Sequence, residues 1–318
     1  MPLNDYIPTL IQIIVDIYIL IRLYQLTNKA GRSVRLIFFA FAVTASLLTS
    51  FYWVAYDLLH PMTRMPFAAN EIAEWAIFLS LASSIVSVAG VFSVPAKRET
   101  ICALAFLTAN VALWITWSGE WAQDIITGIV MGYFFFFLTS YMKQTGALPA
   151  PALRLLEIVC IIVIAANIAT IFVPDHLKNT TDLAAYLLML AADLYLIYRV
   201  ILTFSRQEPH RIRMRFLHER NAFRSLPSPA SGKDPELSIS LSFAVYAWSS
   251  LFLYMSAGLF YNIASLFCSF SWLLMFAALR YGPDIDRMER SKISSEEDIA
   301  DPPKQNRPLM RNVKEVLR

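Results

Sequence analysis

Charged residues are scarce in this sequence. Asp, Glu, Lys and Arg make up 16% of the 318 residues, and 57% are hydrophobic, whereas soluble domains have about 25% charged residues. A soluble chain of this length needs more polar surface than that. Runs of roughly 20 apolar residues recur along the chain, and each is long enough to cross a bilayer. The shortage of charge therefore argues against a soluble domain and predicts a multi-pass protein of a cell membrane.

Motifs for catalysis and cofactor binding are missing as well. The sequence has no P-loop, no HExxH and no GxSxG, and its apolar runs contain neither a lysine for a Schiff base nor paired histidines for haem. The three cysteines, Cys102, Cys160 and Cys268, lie in apolar runs without a partner at metal-ligand spacing. This argues against a disulfide framework or a zinc site. We expect no cofactor, no metal and no enzyme activity.

The apolar runs are predicted to be helices, because they lack the two-residue alternation of a barrel strand and lipid leaves every backbone polar group to be satisfied internally. Residues 239–280 would form a helix of roughly 60 Å, twice the hydrocarbon thickness, so we expect two spans that turn near Gly258. The predicted fold class is an all-α transmembrane helix bundle of about nine spans: 6–26, 36–58, 71–94, 101–117, 121–142, 154–173, 183–204 and two within 239–280.

Basic residues in the connections predict the orientation of the bundle. The connections after spans one, three, five and seven are rich in Lys and Arg, whereas those after two, four and six hold one, none and one. Positive charge accumulates in cytoplasmic loops, which puts the N-terminus outside and the C-terminus in the cytoplasm. The predicted domains are a seven-helix membrane bundle (1–204), a basic cytoplasmic loop (205–238), a transmembrane helical hairpin (239–283) and a mobile cytoplasmic tail (284–318).

Two spans carry nearly the same seven residues. DIYILIR runs from Asp16 to Arg22, and DLYLIYR runs from Asp193 to Arg199. The predicted topology puts each acid near the bilayer midplane and each arginine at the cytoplasmic end, where it can reach the headgroups. This repetition predicts a parallel duplication in which spans 1–3 correspond to spans 7–9. A chance likeness between two apolar helices is the alternative.

Asp16 and Asp193 each admit two interpretations. A charge at the midplane costs about 2.5–3.5 kcal/mol on insertion scales, so it normally faces protein or water. The functional hypothesis is a central site that binds a proton or cation. The structural alternative is that both acids bond to polar side chains of neighbouring helices and hold the bundle together. Glu157 lies at the predicted depth of Arg22 and Arg199, where we expect a structural salt bridge.

Acidic and aromatic residues gather at the predicted outer ends of spans two to five. Carboxylates beside aromatic rings suit a small cationic ligand, through ion pairing and cation–π contact. The alternative is structural, because Trp and Tyr form interfacial belts in membrane proteins and acids in the first turn of a helix favour its dipole. The candidate ligand-binding residues are Asp57, Glu71, Glu74, Trp75, Glu120, Asp124 and Trp53.

The segment 206–224 is basic with interleaved apolar residues. Such a segment binds anionic lipid, at about 1 kcal/mol per basic residue, or a cytoplasmic protein. Positive charge just inside a span is expected anyway, which argues against nucleic acid.

Three functions stay open: a sensor that binds a ligand outside and signals to cytoplasmic segments, a secondary transporter coupled through Asp16 and Asp193, and an intramembrane enzyme, the weakest because no nucleophile–base pair is present.

Overall fold

The structure is a computed structural model that describes residues 6–30, 33–59, 67–89, 121–169, 174–220 and 234–280. Over these ranges the chain forms α-helices and no strand, which confirms the predicted all-α class. The helices are α1 (Tyr6–Ala30), α2 (Val34–Leu59), α3 (Phe67–Ala89), α4 (Trp121–Thr145), α5 (Ala150–Ala169), α6 (Asp175–Arg220), α7 (Asp234–Met255) and α8 (Leu259–Arg280).

The lengths and compositions of the helices fit a multi-pass membrane protein. Six helices, α1, α2, α4, α6, α7 and α8, are long and apolar enough to cross a bilayer. Large apolar side chains such as Ile14 and Leu48 are exposed on their outer faces, where lipid tails can contact them. The predicted span 101–117 lies outside the described residues, so the count of nine spans stays a prediction.

The apolar run 239–280 forms two helices, as predicted. Helix α7 ends at Met255 and α8 begins at Leu259, and the two pack against each other. Between them Gly258 has a φ of 59°. This left-handed conformation costs roughly 1–2 kcal/mol for a residue with a Cβ, whereas glycine adopts it freely. The reversal at Gly258 creates the pair that we call the central hairpin (α7 and α8).

Six of the helices form a closed ring of contacts that includes both helices of the central hairpin. Helices α1 to α4 contact one another in chain order, α4 contacts α7, and α8 contacts both α7 and α1. Helix α6 packs on α7, and α5 packs on α6. In α7, 78% of the residues in the apolar window are buried, against 28% in α1 and in α6. The hairpin that is predicted as a separate C-terminal unit therefore forms the centre of the bundle.

A chain of aromatic rings fills the interior. Trp272 of α8 contacts Phe39 of α2, with ring centroids 5.8 Å apart, and Tyr246 of α7, at 4.9 Å. Tyr246 lies 6.2 Å from Phe78 of α3, which lies 5.5 Å from Phe134 of α4. Trp272 and Phe39 are almost completely buried. These rings join five helices into one core.

Helix α6 continues beyond its candidate membrane span, Leu177–Ser205. The predicted span ends at residue 204, but the helix runs without interruption to Arg220. The segment 205–238, predicted as a loop, is thus helical at both ends, because α7 already begins at Asp234. Residues 221–233 and the predicted tail, 284–318, lie outside the described residues.

Candidate functional site

Asp16 lies in a polar cluster between α1, α2 and α8. Its side chain is fully buried, as expected for an acid within a span. Gln12 Nε2 donates to Asp16 Oδ1 at 2.8 Å, and Ser46 Oγ donates to Asp16 Oδ2 at 2.7 Å. Ser269 Oγ of α8 donates to Gln12 Oε1 at 2.5 Å. Both carboxylate oxygens thus have a donor, and the cluster joins three helices.

Asp193 is also fully buried, but its surroundings are less polar. Ser249 Oγ of α7 donates to Asp193 Oδ1 at 3.0 Å. Among the described residues, Asp193 Oδ2 has no hydrogen-bond partner. One turn away, Trp248 Nε1 donates to the Met189 carbonyl at 3.1 Å, which is a second hydrogen bond between α6 and α7. Asp193 therefore has an accepting oxygen that no described neighbour uses.

The two acids face different neighbours. Asp16 faces α2 and α8, whereas Asp193 faces α7. The central hairpin lies between them and contributes polar groups there, because Ser250 lies beside both Tyr246 and Cys268. The structure thus does not bring Asp16 and Asp193 into direct contact. It separates them by a belt of hydroxyl and thiol groups.

The arginines of the duplicated motif have local partners. Arg22 Nε donates to the Tyr18 hydroxyl at 3.4 Å, and its guanidinium lies 5.5 Å from the Tyr18 ring centroid. Arg199 Nη2 donates to the Ala147 carbonyl at 3.4 Å. Side chains four residues apart share a helix face, and Tyr18 and Arg22 are in contact on one face of α1. Arg199 instead contacts the turn between α4 and α5.

A buried ion pair escaped the sequence analysis. The predicted second span begins at residue 36 and leaves Arg35 outside it. This boundary is wrong, because α2 begins at Val34 and the Arg35 side chain is only 2% exposed. Its Nη2 lies 3.1 Å from Glu236 Oε2, and the Tyr141 hydroxyl donates to the same oxygen. An arginine at the start of one apolar run and a glutamate at the start of another were the available indication.

Glu74 is the candidate ligand-binding residue with the most informative contact. The Tyr254 hydroxyl of α7 donates to Glu74 Oε2 of α3. Beside it in sequence, Trp75 Nε1 donates to Thr127 Oγ1 of α4 at 2.7 Å. Trp53 of α2 is half-buried. Two of the predicted residues thus take part in contacts between helices near one end of the bundle.

The position at which α3 begins bears on the explanation that the outer acids stabilise a helix dipole. The helix begins at Phe67 rather than at residue 71, and its first turn contains no acidic residue. A stabilising interaction with the helix dipole therefore does not explain Glu71 and Glu74. Glu120 and the side chains of Asp57, Glu71 and Asp124 lie outside the described residues.

Glu157 of α5 lines a cavity, and the salt bridge predicted at its depth stays a prediction. The cavity is bounded by α4, α5, α6 and α7 and by Phe78 of α3, and has a volume of about 50 Å³. Its wall is otherwise almost entirely apolar, and neither Asp16 nor Asp193 contributes to it.

Comparison of the chain with protein-family models, with curated proteins and with solved structures gives no match. The function is therefore inferred from the contacts themselves.

Metal binding has no candidate in the part of the chain that the structure describes. There, no group of three or more His, Cys, Asp or Glu side chains is arranged to hold an ion. His60, which the sequence places in the loop before Glu71, lies outside that part. What the geometry offers instead is carboxylates that accept hydrogen bonds from hydroxyl groups: Glu74, Glu236, Asp16 and Asp193.

Proposed function

We propose that the protein is a membrane sensor that binds a small cation at Glu74 and transmits the change along α7 to its cytoplasmic segments. The observation that carries this proposal is the hydrogen bond from Tyr254 to Glu74. It places a carboxylate beside aromatic rings near one end of the bundle. It also ties that carboxylate to α7, the most buried of the candidate spans.

A cation can compete with Tyr254 for the carboxylate of Glu74. Glu74 is half-buried and Tyr254 is 40% exposed, so a small ligand can reach both. A small cation attracts the carboxylate through its full charge, and the neighbouring Tyr254 and Trp75 rings add cation–π attraction. Because Trp75 is anchored to Thr127, its ring stays in place when the ligand arrives.

Helix α7 connects this site to the opposite end of the bundle. Tyr254 lies in its last turn and Glu236 in its first, about 27 Å away along a helix that rises about 1.5 Å per residue. There Glu236 accepts hydrogen bonds from Arg35 and Tyr141. A hydrogen bond to a charged group contributes about 1.5–3 kcal/mol, which matches the 1–3 kcal/mol typical of coupling between two sites. Release of Tyr254 is therefore sufficient to bias the position of α7.

The proposed output is the basic segment 206–224, which precedes α7 in the chain. Its helical part continues directly from α6, and α6 packs against α7. A shift of α7 would change the packing of α6 against it, and so the position of the basic residues at the end of α6. Their proposed partners are anionic lipid headgroups or a cytoplasmic protein.

The test uses tetramethylammonium as a probe cation on the full chain in lipid nanodiscs. Wild type is expected to show a rise in Tm that saturates with the probe, because a ligand that binds the folded state stabilises it. Glu74→Gln should lose the rise. Tyr254→Phe should bind the probe about tenfold more tightly, because the competing hydroxyl is gone.

The matched control is Asp182→Asn, which removes another carboxylate beside a tyrosine, Tyr186 of the same helix. It should respond as wild type. Trypsin cleavage within 206–224 provides the second readout, and the probe should change its rate in wild type but not in Glu74→Gln. The sensor hypothesis is abandoned if Glu74→Gln retains the Tm rise, or if the probe leaves wild type unchanged.

A secondary transporter is the second candidate, and the unused oxygen of Asp193 favours it. That oxygen can accept a proton or a cation, and the polar belt extends from Asp193 towards Asp16. The proposed duplication also gains support, since each acid accepts a hydrogen bond from a serine on the following described span, Ser46 for Asp16 and Ser249 for Asp193.

Measuring proton movement across a membrane distinguishes the transporter from the sensor. Liposomes loaded with a pH-sensitive dye should show proton flux through wild type when a pH gradient is imposed, and slower flux through Asp193→Asn and Asp16→Asn. Equal flux in all three proteins would remove both acids from any coupling role.

A further inference from the structure

Three buried side chains of the central hairpin are joined by hydrogen bonds. Ser250 of α7 forms a hydrogen bond with the hydroxyl of Tyr246, one turn earlier, and another with the thiol of Cys268 on α8. All three residues are buried. A hydroxyl or a thiol can both donate and accept a hydrogen bond. This set, which we call the polar belt (Tyr246, Ser250 and Cys268), can therefore pass a proton from one member to the next.

Carboxylates lie near both ends of the polar belt. The Cys268 thiol interacts electrostatically with Asp193 of α6. The Tyr246 hydroxyl interacts electrostatically with Glu74 of α3 and with Asp16 of α1. Asp193 is fully buried, whereas Glu74 is half-buried. The belt thus extends from an acid in the interior towards an acid that is partly exposed.

The Glu74 end of the belt lies near a surface of the bundle. Glu74 accepts a hydrogen bond from Tyr254, which is 40% exposed and belongs to the last turn of α7. The candidate spans Glu236–Met255 and Leu259–Arg280 are joined directly after it. Irregular backbone that contacts lipid does not occur within the hydrocarbon region, so this exposed turn lies at a membrane surface. Water there can exchange protons with Glu74.

Asp193 has an oxygen that is suited to binding a proton. Its Oδ1 accepts a hydrogen bond from Ser249 at 3.0 Å, whereas its Oδ2 has no hydrogen-bond partner among the described residues. A buried carboxylate in such surroundings becomes neutral by binding a proton. A metal ion such as Ca²⁺ takes about 6–8 oxygen ligands, and the described part of the chain contains no group of acidic, His or Cys side chains that could hold one. The surroundings of Asp193 therefore favour a proton over a metal ion.

We propose that Asp193 binds a proton at Oδ2 and that the polar belt exchanges this proton with Glu74 at the surface. A proton on Glu74 moves to the Tyr246 hydroxyl, which releases its own proton to Ser250. Ser250 and then Cys268 each pass a proton on in the same way, and the last proton binds to Asp193 Oδ2. Each belt residue keeps one proton, while Glu74 becomes ionised and Asp193 neutral. This path deepens the transporter candidate, on whose assignment of Asp193 it rests, by naming the ion and its route of entry.

The test is infrared spectroscopy of the full chain in lipid nanodiscs, first in H₂O and then after rapid transfer to D₂O. A protonated carboxyl group has a C=O stretching band that shifts when deuterium replaces its proton. Wild type at neutral pH should show such a band that Asp193→Asn lacks, and the rate of its shift measures proton exchange at Asp193. Wild-type and Asp193→Asn spectra without this difference would overturn the proposal.

Two variants interrupt the belt. Tyr246→Phe keeps the ring that packs on Trp272, and Ser250→Ala removes only a hydroxyl. Each should slow the exchange about a hundredfold, the lower end of what a positioned proton-transferring side chain contributes. Ser242→Ala is the matched control, because this buried serine of α7 donates to the Ser238 carbonyl instead, and it should exchange as wild type does. Equal rates in wild type, Tyr246→Phe and Ser250→Ala, or an equal slowing in Ser242→Ala, contradict the proton path.

The same spectra separate the proton path from the transporter. They are recorded without a pH gradient, so the exchange rate does not depend on net flux across a membrane. Belt-dependent exchange in a protein that shows no flux supports the proton path and excludes the transporter. Flux together with equal exchange rates in all belt variants does the reverse.

Discussion

Arg35 and Glu236 are separated by 201 positions in the chain, yet Arg35 Nη2 lies 3.1 Å from Glu236 Oε2. This ion pair joins α2 to the central hairpin, and Tyr141 adds α4 to the same contact. Taking one charge away removes the ionic partner of the other inside the bundle, so this contact is expected to be sensitive to either substitution.

Arg35→Met and Glu236→Leu are each expected to lower the free energy of unfolding by about 3–5 kcal/mol. The double variant should recover most of that loss, because no buried charge is left alone. Reversible unfolding in mixed detergent micelles measures both effects. Arg22→Met is the matched control, since exposed Arg22 bonds only within its own helix in the described part of the chain, and it should change stability by less than about 0.5 kcal/mol.

Asp16→Asn should destabilise the bundle more than Asp193→Asn does. Both oxygens of Asp16 accept hydrogen bonds. The amide of asparagine has only one acceptor oxygen, so one of these hydrogen bonds is lost, which costs about 1–3 kcal/mol of stability. In Asp193→Asn the bond from Ser249 persists, and one unsatisfied atom replaces another. Unfolding midpoints of the two variants measure the difference. The reverse order would show that the surroundings of the two acids are assigned incorrectly.

Gly258→Ala is expected to cost about 1–2 kcal/mol. A Cβ at this position would meet no atom within 4 Å, so the cost arises from the left-handed backbone and not from a clash. Gly258→Asn should cost less, because asparagine tolerates this conformation better. Gly146→Ala tests the same reasoning at a second position with a φ of 66° and equally open surroundings. Thermal unfolding in detergent is the measurement, and an Asn variant less stable than the Ala variant would contradict the explanation.

Trp272→Ala is expected to cost about 3–5 kcal/mol, because it opens a cavity in the aromatic core. Its ring is 2% exposed and contacts Phe39 and Tyr246. Phe270 lies on the same helix but is 39% exposed, and Phe270→Ala should cost far less. Comparable losses in the two variants would show that lipid-facing and core-facing rings contribute equally.

Hydropathy and local rules were sufficient for the parts of the fold that depend on neighbouring residues. The helices, the reversal at Gly258 and the shared face of Tyr18 and Arg22 all follow from spacing within one segment. Burial of Asp16 and Asp193 follows from the cost of charge in lipid. Their hydrogen-bond partners, Ser46 and Ser249, lie on other helices and are not specified by that cost.

The central position of α7 was not predictable from apolarity, because in a membrane the outward and inward faces of a helix are both apolar. The available indication was small polar residues: α7 contains the buried serines Ser238, Ser240, Ser242, Ser249 and Ser250. Small residues allow helices to approach closely in lipid. The pairing of Arg35 with Glu236 depends on that central position, so it could not be predicted before the position was known.

The placement of the central hairpin has a consequence for biosynthesis. A chain is made from its N-terminus, so α1 to α6 enter the membrane before α7 and α8 exist. During that interval Arg35, Gln12 and Asp193 lack the partners that α7 and α8 later provide. Assembly therefore finishes when the hairpin inserts among helices that are already in the membrane. A ribosome stalled before residue 234 leaves an incomplete protein for membrane chaperones or proteases to recognise.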